Sequence, residues 1–98
     1  MTNPNRLSAC GLVLDLTAKQ VLTDGQPRRL TPKECRLLAT FMRHPGRILS
    51  RRFLMKQVWD TDYVGDCRTL EVHVCTLRRK IGHHLIHTVR GIGYRFGE

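Results

Sequence analysis

Several side chains between positions 68 and 79 recur at a spacing that would place them on one side of a helix. On a wheel of about 100° per residue that takes Leu70 as zero, they fall between about 140° and 200°. They are Arg68, Val72, Cys75 and Arg79. Arginine can hydrogen-bond to phosphates or to guanine edges, and valine can contact a thymine methyl group. The same pattern also suits a plain solvated amphipathic helix.

The opposite side of this helix is apolar. Val74, Leu77 and Ile81 fall within about 40° of Leu70 on the same wheel, and the four residues predict a core-facing stripe. The remaining positions flank the outward side, with His73 and Thr76 on one flank and Arg78 on the other. A valine that faces solvent at position 72 favours a contact surface over a merely solvated one.

A second set of groups that could contact a partner lies in a glycine-containing hairpin, Thr88-Val89-Arg90-Gly91-Ile92-Gly93-Tyr94-Arg95-Phe96. Gly91 and Gly93 relax the backbone and allow it to approach a phosphate chain closely. Arg90 lies at the turn, where it can reach a phosphate or a minor groove, and Thr88 can donate its hydroxyl. A tight turn whose glycines serve geometry alone is the simpler alternative.

Metal and catalytic chemistry find less support. The cysteines form no CxxC pair, and the possible ligands lack a familiar metal-site spacing. These are Cys67, His73, Cys75, His83, His84 and His87. We expect reduced thiols, no metal and no cofactor. Since no paired carboxylates or nucleophile triad stand out, we also expect that the chain is not an enzyme.

The charge balance points to a polyanionic partner. Seventeen Lys and Arg residues oppose eight Asp and Glu residues, which gives a net charge of +9 over 98 residues. Positions 1–49 carry +5 and positions 50–98 carry +4, so folding must assemble any basic face. No apolar run approaches the roughly 20 residues of a membrane span, and the polar start lacks a signal-peptide core. We therefore expect a cytoplasmic protein without membrane contact.

The elements that must position these groups begin with short β-like segments. Residues 1–6 are typical of a loose terminus or linker remnant, and residues 7–98 are predicted to form one domain. Between Leu7 and Leu30 the pattern predicts a small antiparallel sheet with a turn at Asp24-Gly25. Thr31, Pro32 and Glu34 then form a strong helix start, with a capping box and proline at the first helical position.

The rest of the chain predicts helices followed by a hairpin. The first helix ends at His44-Pro45-Gly46, and Ser50 can cap a second helix that lacks a capping box. A third helix begins around Asp66 or Cys67 and runs to about Ile81. Residues 85–97 follow as a terminal hairpin, which we call the wing. The predicted fold class is α+β, a winged helix-turn-helix with an N-terminal antiparallel sheet, three helices and a C-terminal hairpin.

Several segments, weak singly but specific in their order and spacing, carry a family resemblance. They are LTPKE at 30–34, HPGR at 44–47, SR at 50–51, VW at 58–59, RTLEVHV at 68–74, LRRKI at 77–81 and TVRGIGYRF at 88–96. From about Gly11 to Phe96 the chain resembles the OmpR/PhoB-type effector domain of two-component response regulators. The resemblance implies sequence-specific binding of double-stranded DNA for transcription regulation.

The resemblance also implies roles for particular regions. It implies a four-stranded N-terminal sheet and a third helix, about 67–81, that enters the major groove, with the wing on the backbone or minor groove. The implied DNA contacts are Arg68, His73, Arg78, Arg79, Thr88 and Arg90, to which the wheel adds Val72, Cys75 and Thr76. The loop implied to touch RNA polymerase comprises Trp59, Asp60, Thr61, Asp62, Tyr63, Val64 and Gly65.

The sequence departs from the family pattern at two outward positions and in its domain content. Cys75 and Thr76 stand where several members carry arginine or polar base readers, and cysteine is a poor hydrogen-bonding reader. The family normally carries an N-terminal receiver domain phosphorylated through a sensor kinase in a phosphorelay, and the sequence shows none. Either the receiver was excised or the chain lacks it naturally.

We expect the domain to bind repeated DNA half-sites as a tandem homodimer.

One alternative stays open beside DNA binding. A winged helix can serve as a protein-interaction module without direct DNA readout, although basic outward residues argue against it. RNA-binding modules usually expose aromatic residues for base stacking, and this chain has only six aromatic residues.

Overall fold

A computed structural model describes residues 5–61 and 68–97 of the chain. It shows two small sheets on either side of a group of three helices. The strands are β1 Arg6–Ala9, β2 Leu12–Asp15, β3 Gln20–Thr23, β4 Gln26–Arg29, β5 Ile48–Ser50, β6 Ile86–Val89 and β7 Gly93–Phe96. The helices are α1 Pro32–Arg43, α2 Arg51–Trp59 and α3 Arg68–Ile81.

The N-terminal sheet is an antiparallel meander in the order β1-β2-β3-β4. Its alternating side chains bury Leu12, Leu14 and Val21 against the helices. The predicted turn at Asp24-Gly25 is confirmed, because both residues have positive φ (53° and 76°), as a two-residue hairpin turn requires. Strand β1 begins one residue before the β-like segment that the sequence predicted.

Helix α1 begins as its sequence predicts. The Thr31 hydroxyl accepts from the Glu34 amide at 3.2 Å, and the Glu34 carboxylate accepts from the Thr31 amide at 2.9 Å, which completes the capping box. Phe41 is fully buried and stacks on Phe96 from the last strand, with ring centroids 6.3 Å apart. Helix α1 contacts both sheets, through β1 and through β7.

The start of α2 and the end of α3 also agree with the sequence prediction. Ser50 caps α2 by accepting from the Phe53 amide at 3.0 Å, and α2 ends at Trp59, after which Asp60 adopts a left-handed conformation. Helix α3 ends at Ile81, followed by Gly82 at a φ of 102°. Asp66 and Cys67, where the third helix was expected to begin, lie outside the described residues.

The C-terminal sheet has the order β5-β7-β6, so the last strand lies between the other two. The short strand β5 was not predicted from the sequence. Its partner lies more than forty residues away, with Leu49 opposite Tyr94. Gly93 is required here, since a Cβ at this position would lie 1.9 Å from the carbonyl oxygen of Leu49.

Candidate nucleic-acid interface

Helix α3 is oriented by its apolar stripe. Leu70, Val74, Leu77 and Ile81 are each no more than 3% exposed, as the helical wheel predicted. The opposite side therefore faces solvent. Its four predicted outward residues, Arg68, Val72, Cys75 and Arg79, are all exposed. Val72 is 58% exposed, so its methyl groups are accessible to a partner at the centre of this face.

His73 lies at the edge of this face and is held in place. Its Nδ1 lies 2.7 Å from the Thr69 carbonyl, and its ring meets the Trp59 ring edge-on at 5.0 Å between centroids. Because a carbonyl only accepts, Nδ1 carries the proton. Nε2 is then the ring nitrogen left for other contacts. The ring thus joins the end of α2 to the exposed side of α3.

Thr76 is half-buried, and part of its hydrogen-bonding capacity is used within the protein. Its hydroxyl donates to the His73 carbonyl at 3.1 Å. It also lines a shallow depression of about 350 Å³ between the start of α1 and α3, together with Glu34 and Lys80. Its methyl group is therefore a better candidate than its hydroxyl for contact with a partner.

A charged network fixes α3 against α1. The Glu34 carboxylate is buried and accepts from Lys80 Nζ at 2.7 Å, while the same ammonium donates to the Arg29 carbonyl at 3.0 Å. Burial alone would raise the pKa of Glu34. Hydrogen bonds from Lys80 and the Thr31 amide, with the Lys80 charge, outweigh burial and lower that pKa. The carboxylate stays ionised and holds the helices together.

Arg78 is half-buried and turned toward the wing. Its Nε donates to the Ile86 carbonyl at 3.0 Å, and its Nη2 donates to the same carbonyl at 2.8 Å and to the Thr88 hydroxyl at 2.9 Å. Its guanidinium carbon also lies 5.8 Å from the centre of the Tyr94 ring. Sequence reasoning placed Arg78 among the DNA contacts, which stays a prediction; the structure adds that its Nε and Nη2 are hydrogen-bonded within the domain.

The tip of the wing presents exposed residues on a tight turn. The Ile92 amide donates to the Val89 carbonyl at 3.0 Å, and Gly91 has the positive φ (75°) that the third position of such a turn needs. Arg90 and Thr88 are exposed, as predicted. The turn also exposes 54% of Ile92, which sequence reasoning missed.

The start of α2 adds basic residues that sequence reasoning also missed. Arg51 and Arg52 occupy its first turn, and Arg51 lies 5.9 Å from the Tyr94 ring, on which Arg78 also packs. Arginine in a first turn opposes the helix dipole. That mismatch is the signal by which the sequence could have indicated an anionic partner here.

The loop after α2 is only partly described. Trp59 is half-buried, and Asp60 is exposed and pairs with Lys56 at 3.5 Å. Thr61 is half-buried. The other predicted members of this loop, Asp62, Tyr63, Val64 and Gly65, lie outside the described residues.

Cysteine and histidine side chains do not gather into a metal site within residues 5–61 and 68–97. Cys35 is buried and Cys75 is exposed, while Cys67 lies outside these ranges. Burial raises the pKa of the Cys35 thiol, so this cysteine is a core residue in its protonated form. In the same ranges, no helix is long and apolar enough to cross a membrane.

Three helices, an N-terminal sheet and a C-terminal hairpin define a winged-helix domain. The family model described as "Transcriptional regulatory protein, C terminal" matches residues 25–96, so the chain belongs to this family. The resemblance to OmpR/PhoB-type effector domains is thereby confirmed.

Curated relatives of the chain are longer proteins. The transcriptional regulatory protein CseB of Streptomyces avermitilis is 49% identical over 84 residues, which cover 86% of this chain and 36% of CseB. The phosphate regulon regulator PhoB of Shigella dysenteriae is 43% identical over 90 residues, which cover 88% of this chain and 39% of PhoB. The chain thus spans less than two fifths of either relative.

Solved structures confirm the predicted fold class. The DNA-binding domain of CpxR from E. coli superposes with a TM-score of 0.81 at 31% identity, covering 93% of this chain and 94% of that one. The DNA-binding domain of RstA from Klebsiella pneumoniae, solved in complex with the RstA box, gives a TM-score of 0.83 at 28% identity, covering 94% and 96%.

Proposed function

We propose that this domain binds double-stranded DNA sequence-specifically to regulate transcription. Helix α3 enters the major groove, and the wing contacts the backbone or minor groove. The observation that carries the proposal is the orientation of α3. Four buried aliphatic residues on one side leave Arg68, Val72 and Arg79 exposed on the other. Family membership and the DNA complex of the similar RstA domain support the same function.

The residues at the interface divide by chemistry. Arginines at its edges, Arg68 and Arg79, suit phosphates or guanine edges. At its centre, the methyl groups of Val72 and Thr76 suit a thymine methyl, while the Cys75 thiol is a weak hydrogen-bonding partner. Contacts at the centre of this face are therefore mainly apolar, and those at its edges are charged. His73 Nε2 and Arg90 add backbone contacts on either flank.

In a longer protein that also contains a receiver domain, phosphorylation of the receiver would control the activity of this domain. We propose that the domain acts in the cytoplasm as the output of a response regulator, with a receiver domain and a sensor kinase upstream. We propose further that it binds repeated half-sites as a tandem homodimer. The loop that begins with Trp59, Asp60 and Thr61 is proposed to contact RNA polymerase. The role is one of binding, not of catalysis.

The test is a titration of mixed-sequence duplex DNA at several salt concentrations. Affinity should fall with salt at a log–log slope of about −0.9 per phosphate contact. Arg79→Ala should reduce the magnitude of that slope by about 0.9. Arg43→Ala is the matched control, since Arg43 lines a cavity between α1 and the N-terminal sheet and should leave the slope unchanged.

A folded domain that binds no duplex at low salt would refute the proposal and favour the protein-interaction alternative. If Arg79→Ala and Arg43→Ala changed the slope equally, the overall charge of the domain, and not a contact made by Arg79, would account for the binding. Selection of bound duplexes from a random pool then identifies the preferred half-site.

A further inference from the structure

The contacts of Arg78 join α3 to the wing at a particular point of the sheet. Strand β6 lies at the edge of the three-stranded sheet, so alternate backbone groups face away from β7. The Leu85 carbonyl accepts from the Gly97 amide at 2.8 Å and thus faces β7. The next carbonyl along the strand, Ile86, faces the opposite way, where it accepts two hydrogen bonds from the Arg78 guanidinium.

The geometry of these bonds requires an arginine. Nε and Nη2 of one planar guanidinium reach the same carbonyl at 3.0 and 2.8 Å, and Nη2 also reaches the Thr88 hydroxyl at 2.9 Å. A lysine ammonium keeps the charge but lacks this planar fork. Position 78 therefore selects arginine for the shape of its donors as well as for its charge.

The bond to Thr88 also orients a group on the exposed side of the wing. The Thr88 oxygen accepts from Arg78, and a hydroxyl carries one further proton of its own. Thr88 is exposed. Its proton can therefore be donated outward, to an acceptor such as a phosphate oxygen. Arg78 thus sets both the position of the edge strand and the direction of this hydroxyl.

We propose that Arg78 is a positioning residue that fixes the wing against α3, so that the helix and the wing engage DNA as one unit. This inference rests on the proposed DNA-binding function. In this role Arg78 acts through Ile86 and Thr88 and keeps its internal hydrogen bonds when DNA is bound. These bonds use Nε and Nη2, so a phosphate contact through the two N–H groups of Nη1 would be compatible with them, and only a coupling between Arg78 and the wing separates the positioning role from a direct contact.

The first test is a double-mutant cycle between Arg78→Lys and Arg90→Ala, read as affinity for a mixed-sequence duplex long enough for two half-sites. Arg90→Ala alone should weaken binding about tenfold, the loss of one charge-assisted contact. Arg78→Lys should also weaken binding about tenfold, although charge is conserved. In the Arg78→Lys background, Arg90→Ala should cost no more than about twofold, because the wing is already displaced.

Arg43→Lys, the same exchange at the far end of α1, is the control and should leave affinity unchanged. The inference is wrong if Arg78→Lys binds as the wild type does, or if the Arg90 effect stays fully tenfold in both backgrounds. Absence of binding by the folded wild-type domain is a different result, because it refutes the proposed function itself.

A second measurement needs no substitution. Nuclear magnetic resonance can follow the Arg78 Nε–H proton in the wild-type domain. We expect slow exchange with solvent in the free protein and equally slow exchange when the duplex is added. Rapid exchange in the free domain, or exchange that becomes rapid on addition of DNA, would show that the guanidinium is not held by Ile86 and would overturn the positioning role.

Discussion

Helix α3 and the wing contribute adjacent parts of one proposed interface, yet different forces hold them. The helix is anchored by four aliphatic side chains that are almost fully buried. The wing also buries Ile86 and Phe96, but its placement beside α3 depends on directional contacts, namely the Arg78 hydrogen bonds and the close fit of Gly93 over the Leu49 backbone. Apolar burial is non-directional and sums over area, whereas hydrogen bonds and backbone contacts fix angles. The helix is thus held mainly by apolar contact area, whereas the orientation of the wing depends on geometry.

Removal of a core side chain from α3 should have the largest effect. Leu77 is fully buried, so Leu77→Ala should lower the free energy of unfolding by about 3 kcal/mol, through lost apolar contact and a residual cavity. Chemical denaturation measures the change. Val72→Ala on the exposed side of the same helix is the control and should shift stability by less than about 0.5 kcal/mol. Equal losses at the two positions would contradict the observed orientation of α3.

Addition of one methyl group to the wing should come next. Gly93→Ala forces a Cβ into the Leu49 carbonyl, so the wing must shift and the free energy of unfolding should fall by about 2 kcal/mol. Thermal denaturation measures this change. Gly91→Ala meets no atom within 4 Å but has a φ of +75°, so it should cost only about 1 kcal/mol. A larger loss for Gly91→Ala than for Gly93→Ala would mean that the turn conformation contributes more to the stability of the wing than the fit over β5 does.

Substitutions at the two parts of the interface should affect DNA binding differently. Arg90→Ala should weaken all duplexes alike, by about tenfold, and reduce the magnitude of the salt slope by about 0.9, because it removes a backbone contact. Val72→Ala should leave that slope unchanged and alter the order of preference among duplexes selected from a random pool. If Arg90→Ala changed preference and Val72→Ala changed only overall affinity, the division of roles would be the reverse.

The smallest expected effect concerns the polar contact between α1 and α3. Glu34→Gln should cost about 1 kcal/mol near neutral pH, because it removes the charge that Lys80 meets. The folded state lowers the pKa of Glu34, so its contribution is complete above about pH 4.3, the ordinary glutamate value, and is lost as pH falls through the lower folded value. Thermal denaturation at several pH values should therefore show the two proteins converging in acid. A constant difference down to low pH would contradict this reading.

The sequence predicted those features that depend on near neighbours in the chain. The capping box of Thr31 and Glu34 and the turn at Asp24-Gly25 each involve residues no more than three positions apart. The apolar stripe of α3 follows from helical period alone. For this reason the elements and the outward face of α3 agree with the structure.

Features that depend on distant pairing were beyond the sequence. Strand β5 has only three residues, and its partner β7 is more than forty positions away. The role of Arg78 depends on acceptors eight and ten positions later, across a turn whose geometry no local pattern fixes. The exposure of Ile92 at the tip emerges only once the hairpin is built. The same limit applies to Glu34, whose pairing with Lys80 joins residues 46 positions apart.

The order of the C-terminal sheet has a consequence for synthesis of the chain on the ribosome. Strand β7 joins β5 to β6, and Phe96 at its end completes the core against Phe41. A nascent chain that has emerged only as far as residue 92 therefore has both outer strands but not the strand between them. The wing cannot form, and α1 keeps an uncovered aromatic ring, until residues 93–96 leave the exit tunnel. Assembly of the proposed DNA-binding surface is thus one of the last steps in the folding of this domain during translation.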